Sequence, residues 1–170
     1  MDRQMKQFIL DLLQSHNIMS FATVRADGFP QATSVVYASE GLTLYFACDL
    51  ESQKARNIAR SPKVSLTINH DYEDWNEIRG LSLAGLAELL TGRADRRRAW
   101  RALAAKFPAM AAMTEAERAA AALVRVRPKV ISVIDYQRGI GHTDLVRVGG
   151  SDAPARPRRG ATRRPARATA

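Results

Sequence analysis

The clearest candidate for binding chemistry is the segment LYFACDLESQKARNIARSP, where a serine and a lysine stand close together. Ser52 precedes a predicted helix, and Lys54 falls in its first turn. A lysine there opposes the helix dipole, which is positive at the N-terminus. An anion would reverse that cost, because the Ser52 hydroxyl, the Lys54 ammonium and free backbone N–H groups would converge on a phosphate. The alternative is that Ser52 is only a helix cap and Lys54 only a solvated side chain, and the residues alone leave both open.

No recognised catalytic or metal-binding pattern accompanies this segment. The histidines His16, His70 and His142 lack H-x-x-x-H spacing and have no cysteine partner, so no zinc site is predicted. The G-x-S-x-G motif, the P-loop and the dinucleotide fingerprint are absent as well. His142, in the loop GIGHTD, either lines a substrate pocket or is a hydrogen-bonded loop histidine. Cys48 is predicted to fill space rather than to react.

Hydrophobic periodicity predicts the elements that must position these residues. Apolar residues at 5, 8, 9, 12 and 13 indicate one face of an N-terminal helix. A period of two from residue 18, with turns at 27–28 and 39–41, predicts a three-stranded antiparallel meander over 18–24, 31–38 and 42–48. Ser52 begins and Pro62 ends a short helix. The remaining predictions are strands at 63–70, 81–90 and 124–136, helices at 95–106 and 114–123, and a short final segment at 145–148.

These elements amount to about six strands, mostly antiparallel, with helices at the start, after the third strand and before the last. Pro128 implies a bulge or an edge position in the last strand. Because no βαβ alternation is present, a parallel nucleotide-binding sheet is disfavoured. Closing the sheet into a small barrel would remove its exposed edges. The predicted fold is therefore α+β, with an antiparallel barrel.

Composition separates a folded domain from a basic tail. The chain has 170 residues and a formal charge of +9. Residues 149–170 hold six arginines against the single acid Asp152, and they contain no Ile, Leu, Val, Met or aromatic residue. Such a segment buries too little apolar surface to fold, so we expect a domain at 1–148 followed by a disordered Arg/Pro/Ala-rich tail. Weak nucleic-acid contact through the tail is an open alternative, but the basic composition does not make the whole protein a nucleic-acid binder.

The expected compartment is the cytosol. A single cysteine rules out a disulfide within the chain. No apolar run approaches the roughly 18 residues of a membrane span, so no membrane contact is predicted. The N-terminal apolar residues are spaced as a helix face, which is not the pattern of a signal peptide.

Three segments, taken in order, resemble a known family. FATVRADGFPQATSVVY, LTLYFACDLESQKARNIARSPKVSLTI and LSLAGLAELL look like the FMN-binding split barrel of the pyridoxamine 5′-phosphate oxidase-like family, over roughly residues 5–148. The S-x-K-x-x-N core followed by a P-x-V strand is the most specific part. The resemblance implies a six-stranded antiparallel split β-barrel with flanking helices, a homodimer, and flavin mononucleotide (FMN) at the dimer interface.

The resemblance also implies a set of cofactor-binding residues: Thr33, Ser34, Val35, Val36, Ala47, Cys48, Ser52, Lys54, Asn57 and Trp75. Ser52 and Lys54 would hold the FMN phosphate, and residues 33–36 would lie along the isoalloxazine ring. Ala47 and Cys48 would approach the ribityl phosphate, although many relatives have threonine at the latter position and a thiol is a weaker donor. Asn57 would orient this end of the site or satisfy nearby backbone. Trp75 would reach the partner's flavin or pack on the barrel, as would Tyr72.

The predicted function is a flavin-dependent oxidoreductase, in which FMN transfers hydride through its N5 to or from a small-molecule substrate. This accounts for the absence of a catalytic dyad. A deazaflavin-dependent enzyme, a non-catalytic flavin- or haem-binding stress protein, and a nucleic-acid-associated protein are the alternatives. No R-x-H substrate motif occurs near the end of the barrel, so a vitamin B6 substrate is not predicted.

Overall fold

The computed structural model describes residues 1–149, and the predicted tail lies outside them apart from its first residue. Five helices are present: α1 (Arg3–Ser15), α2 (Gln53–Arg60), α3 (Arg93–Lys106), α4 (Pro108–Ala111) and α5 (Glu115–Ala120). The strands are β1 (Ile18–Val24), β2 (Pro30–Val36), β3 (Ala38–Glu40), β4 (Thr43–Asp49), β5 (Lys63–Ile68), β6 (Arg79–Leu89), β7 (Ala121–Asp135) and β8 (Thr143–Arg147). Short 3₁₀ turns lie at Trp75–Glu77 and Tyr136–Arg138. No helix in these residues is long and apolar enough to cross a membrane.

The α+β class and the antiparallel sheet are confirmed, with two differences in the strands. There are eight strands rather than six, because the predicted strand at 31–38 divides at Tyr37 and the final short segment pairs with β7. The predicted three-stranded meander is wrong. β4 pairs with β3 and β7 rather than with β2, so the region consists of two hairpins joined at Tyr37.

Strand order shows how the sheet closes. The hydrogen-bonded order is β2-β1-β5-β6-β7-β4-β3, with β8 also pairing β7. β2 and β3 therefore form opposite edges of the sheet, yet only one residue separates them in the chain. Both edges must come together at Tyr37, which a sheet can satisfy only by curling into a barrel.

Tyr37 is fixed at this junction from several sides. Its side chain is fully buried. Its backbone N–H donates to Asn17 O (3.1 Å), and its hydroxyl donates to Leu13 O (2.9 Å) at the end of α1. The Lys106 ammonium lies 4.4 Å from the ring centroid and also donates to the carbonyls of Leu13 and His16. Burial strongly raises the pKa of the Tyr37 hydroxyl, so it stays a neutral donor.

The core fills the curled sheet and lies under α1. Ile9 and Leu13 of α1 are completely buried, and Phe21 meets Phe46 edge to face at 4.8 Å between ring centroids. The period-two burial predicted for the strand after Pro62 is confirmed in β5, whose residues alternate between exposed and buried. A second, smaller cluster lies where α3 packs on β3 and β4. It consists of Ala38, Tyr45, Leu90, Ala99, Leu103 and Leu123.

The bulge expected at Pro128 is present. The β6–β7 register shifts between Ala84 and Gly85, so that Ala84 pairs with Val130 while Gly85 pairs with Pro128. Lys129 is the extra residue, and its carbonyl accepts from Val148 N at 2.9 Å. A Cβ at Gly85 would lie 2.7 Å from Arg127 O and 3.1 Å from the Pro128 Cα. The bulge therefore requires glycine on the facing strand.

We expect Gly85→Ala to destabilise the fold by about 1–3 kcal/mol, the range for steric overpacking, because both obstructing atoms belong to the backbone. The matched control is Gly92→Ala, where the added Cβ meets nothing closer than Asp95 Oδ2 at 3.8 Å. Urea denaturation measures the free energy of unfolding of both variants. Equal stability of the two variants would contradict the close approach at Gly85.

Candidate functional site

A polar network anchors α2 to the first hairpin. Asn57 is 2% exposed, and its amide donates to Thr23 Oγ1 (2.9 Å) and Gln31 Oε1 (3.3 Å). Its carbonyl oxygen accepts from Gln53 Nε2 at 2.9 Å. At the other end of the helix, Arg60 Nη2 donates to Val24 O at 2.9 Å. Asn57 thus ties α2 to β1 and β2 through side chains, which is a positioning role.

The N-terminus of α2 is formed by a tight turn out of β4. Ser52 N donates to Asp49 O (3.1 Å), and Glu51 N donates to Asp49 Oδ1 (2.7 Å). Ser52 is the N-cap, since its hydroxyl accepts from Ala55 N at 3.4 Å. The helix therefore begins where the sequence predicted.

Cys48, Ser52 and Lys54 lie together at this turn. Burial raises the pKa of the half-buried Cys48 thiol, while the Ser52 hydroxyl and the charge of Lys54 act in the opposite direction. Cys48 packs against the main core, whereas the side chain of Ala47 packs on the opposite face, against the α3 cluster. Of these two predicted residues, only Cys48 directs its side chain toward the main core.

Lys54 has no ion-pair partner among the described residues. It makes no hydrogen bond or ion pair with any residue of 1–149, and α2 has no acidic residue in its first turn. Lys54 is half-buried, and its ammonium is repelled by the positive end of the helix dipole. Asp49 and Glu51 precede the helix, but neither forms an ion pair with Lys54.

β2 brings the four residues 33–36 to an edge of the sheet. In the part of the chain described, β2 pairs only with β1, so the backbone N–H and C=O groups along its other side have no strand partner. Thr33 and Val35 are half-buried, and Thr33 lies opposite the core residue Phe21. Ser34 and Val36 are exposed on the other face.

Thr33 carries an unexplained polar atom. Its Oγ1 is buried and has no hydrogen-bond partner among the described residues. A buried hydroxyl without a partner is costly, so such an atom usually marks a position where a ligand or water completes the bond. This observation favours a ligand at the β2 edge.

The two aromatic residues of the loop before β6 have different surroundings. Trp75 is 73% exposed and lies in the 3₁₀ turn. Tyr72 instead packs on His70, with 3.7 Å between ring centroids, and its hydroxyl donates to Arg79 O at 2.7 Å. His70 in turn lies 3.1 Å from His16, measured between ring nitrogens. Tyr72 is therefore a packing residue, and Trp75 is free to contact another molecule.

His142 lies in the loop before β8, paired with an acid. Its Nε2 is 3.1 Å from Asp144 Oδ2, and Arg138 donates to the same oxygen at 2.5 Å. The hydrogen bond from His142, together with Arg138, holds the pKa of the Asp144 carboxyl below its usual range. No group of three or more His, Cys, Asp and Glu residues in 1–149 is arranged to hold a metal ion.

Sequence reasoning missed the residues that anchor the site. Gln53 lies one helical turn before Asn57 on α2, so the i, i+4 spacing could have indicated that contact. Thr23 and Gln31 come from other segments, and the one signal for them is that they fall opposite each other in the first hairpin.

The donor set fits a phosphorylated ligand with a polar ring. A hydroxyl, an unpaired ammonium and helix N-terminal N–H groups suit a phosphate, and the free edge of β2 suits the hydrogen-bonding edge of a ring. Residues of these types can bind and orient a ligand, but they include no general acid and base pair. The chemistry of such a site has to come from the molecule that it binds.

Known proteins resemble this chain in sequence and in fold. The sequence matches the family described as pyridoxamine 5′-phosphate oxidase over residues 5–135. General stress protein 26 of Bacillus subtilis (strain 168) is 31% identical over 87 residues, which is 51% of this chain and 61% of that protein. The match therefore spans less than two thirds of the relative's own length.

Two solved structures share the fold at lower identity. The general stress protein 26 of Bacillus anthracis str. Sterne is 20% identical with a TM-score of 0.63, over 85% of this chain and 99% of that one. A heme binding protein from Mycobacterium smegmatis is 19% identical with a TM-score of 0.69, over 86% of this chain and 59% of that one. The chain belongs to the pyridoxamine 5′-phosphate oxidase family, and its curled antiparallel sheet is the split barrel of that family.

Proposed function

We propose that this protein binds FMN and acts as a flavin-dependent oxidoreductase on a small-molecule substrate. The observation that carries the proposal is the group formed by Cys48, Ser52 and Lys54, in which the lysine lacks an ion-pair partner among the described residues. A phosphate bound there would neutralise the repulsion between Lys54 and the helix dipole.

The chain's own residues bind and orient the cofactor in this proposal. Ser52 and Lys54 hold the phosphate, with Cys48 beside them, and Asn57 keeps α2 in place against the first hairpin. Residues 33–36 offer backbone groups from the free edge of β2, and the Thr33 hydroxyl gains the partner that it lacks. FMN, when bound, supplies hydride transfer through its ring, so the protein needs no acid–base pair of its own.

The first test identifies the bound molecule. We expect mass spectrometry of the small molecule released on denaturing the purified protein to show FMN. A deazaflavin would keep the phosphate site but change the redox partner, whereas haem, which has no phosphate, would contradict the assignment of Ser52 and Lys54. Bleaching of the flavin absorbance by a reduced nicotinamide coenzyme then tests turnover, and no reduction would favour a passive binder.

The second test removes the lysine. Lys54→Ala should weaken FMN binding about 10- to 100-fold, since a hydrogen bond to a charged group contributes about 1.5–3 kcal/mol and each 1.4 kcal/mol is a decade. Lys6→Ala removes the same charge from an exposed position on α1 and should leave binding unchanged. Flavin fluorescence quenching measures the FMN affinity of both variants. Unchanged affinity in a folded Lys54→Ala protein would contradict the site.

We further propose that the protein is a homodimer in which the Trp75 loop reaches the partner's cofactor. The support is an outer face of the sheet made mostly of small, hydroxyl-bearing and aliphatic side chains from four strands, with Lys63 opposite Leu86 as a charged member. Its members are Ile18, Ser20, Ala22, Val24, Pro30, Ala32, Ser34, Val36, Ser65, Thr67, Ala84 and Leu86. Exposure of 54% at Ile18 and 73% at Trp75 is typical of a surface that a partner covers.

We expect light scattering at micromolar concentration to give the mass of two chains. Ala32→Arg should shift the protein to the monomer mass, because it places a charge within the outer face opposite Ala22. Ala119→Arg makes the same change on exposed α5 and should remain dimeric. A wild-type monomer with flavin still bound would contradict the proposal.

A further inference from the structure

A broad cleft runs along the line where α3 packs against the β3 edge of the sheet, next to the end of α1. Its volume is about 840 Å³, within the range of small-molecule sites. Four alanines from β3 and α3 leave this space open. The polar lining includes Gln14, Ser39, Glu40, Arg97, Arg98 and Arg101.

The arginines of α3 differ in their partners. Arg96 donates to the carbonyls of Leu90, Arg118 and Ala121, so it stabilises the fold. Arg97 and Arg101, which line the cleft, make no hydrogen bond or ion pair with any residue of 1–149.

One acidic side chain lies beside these arginines in the cleft. Glu40 accepts a hydrogen bond from Arg98 Nε at 2.5 Å. It is the single acidic side chain in the described lining of the cleft, and it is already engaged. The Gln14 and Ser39 side chains have no hydrogen-bond partner among the described residues either, so the cleft offers neutral donors beside the unpaired guanidinium groups.

The helix alone gains nothing from this arrangement. Arg97 and Arg101 are one turn apart on the same face of α3, and like charges at that spacing destabilise a helix by a few tenths of a kcal/mol. A bound anion would convert this repulsion into attraction. Guanidinium groups bind phosphate oxygens in a bidentate manner, which a solvated lysine patch would not match.

We propose that the cleft between α3 and β3 binds a small molecule carrying two or more phosphate groups, with Arg97 and Arg101 as its main contacts. The lining residues belong to α1, β3 and α3, whereas the proposed flavin site is built from β2, β4 and α2. The two proposals can therefore fail separately. The open cleft and its alanine walls favour a compact ligand over an extended nucleic-acid strand.

The probe for this site is inorganic pyrophosphate, titrated calorimetrically into the full chain. All proteins in this titration also carry Lys54→Ala, because that substitution removes the other candidate phosphate site. We expect saturable binding of pyrophosphate with one site per chain. The double variant that carries both Arg97→Gln and Arg101→Gln should bind pyrophosphate about 10-fold or more weakly. Arg3→Gln with Arg147→Gln removes the same two charges elsewhere and should leave the affinity unchanged.

Glu40→Gln provides an independent variant that leaves α3 intact. It removes the competing carboxylate and releases Arg98, so pyrophosphate should bind several-fold more tightly. The proposal would be overturned if pyrophosphate did not bind saturably, or if both double variants lost affinity equally. It would also be overturned if Glu40→Gln did not raise the affinity for pyrophosphate. If binding of a single-stranded oligonucleotide required Arg97 and Arg101 and binding of pyrophosphate did not, the cleft would be assigned to nucleic acid, and the proposal would be overturned as well.

Discussion

The continuity of the chain at Tyr37 is the constraint on which the rest of the structure depends. A seven-strand path through the sheet begins and ends at strands that one residue connects, so the sheet cannot remain open. The residue that makes this connection is fully buried and is held by the ends of α1 and α3 through Leu13 and Lys106. Closure thus places the two helix ends and both edge strands in one region of the molecule.

Closure also explains where the candidate cofactor site lies. Because β2 leads directly into the β3–β4 hairpin, it contacts β4 without pairing with it, and its free edge lies near the strand that leads into α2. The Asn57 network then fixes α2 against β1 and β2. A half-exposed strand edge beside a helix N-terminus suits a flat, phosphorylated ligand, which a fully paired sheet would exclude.

Basic residues have three distinct roles in this domain. Lys106 and Arg96 donate to backbone carbonyls that helix and strand ends leave unpaired. Arg125 bridges Glu88 (2.6 Å) and Asp95 (2.8 Å), joining β6, β7 and α3. Lys54, Arg97 and Arg101 have no such partner in 1–149. They differ from other unpaired cations such as Arg3 in lying at the N-terminus of α2 or in the lining of the cleft, where ligand binding is proposed. The net charge of the chain alone does not distinguish these roles.

Local signals in the sequence were sufficient for the elements and for part of the site. Ser52 as a helix cap, the alternation in β5 and the bulge at Pro128 depend on neighbouring residues, so spacing predicted them. Strand pairing depends on contacts between distant segments, and here the predicted meander failed because Tyr37 divides the second strand. The hydrogen bonds from Asn57 to Thr23 and Gln31, the unpaired Thr33 hydroxyl and the arginine-lined cleft were decided only by the tertiary structure. Each depends on which distant groups come within hydrogen-bonding distance, and no local pattern of residues carries that information.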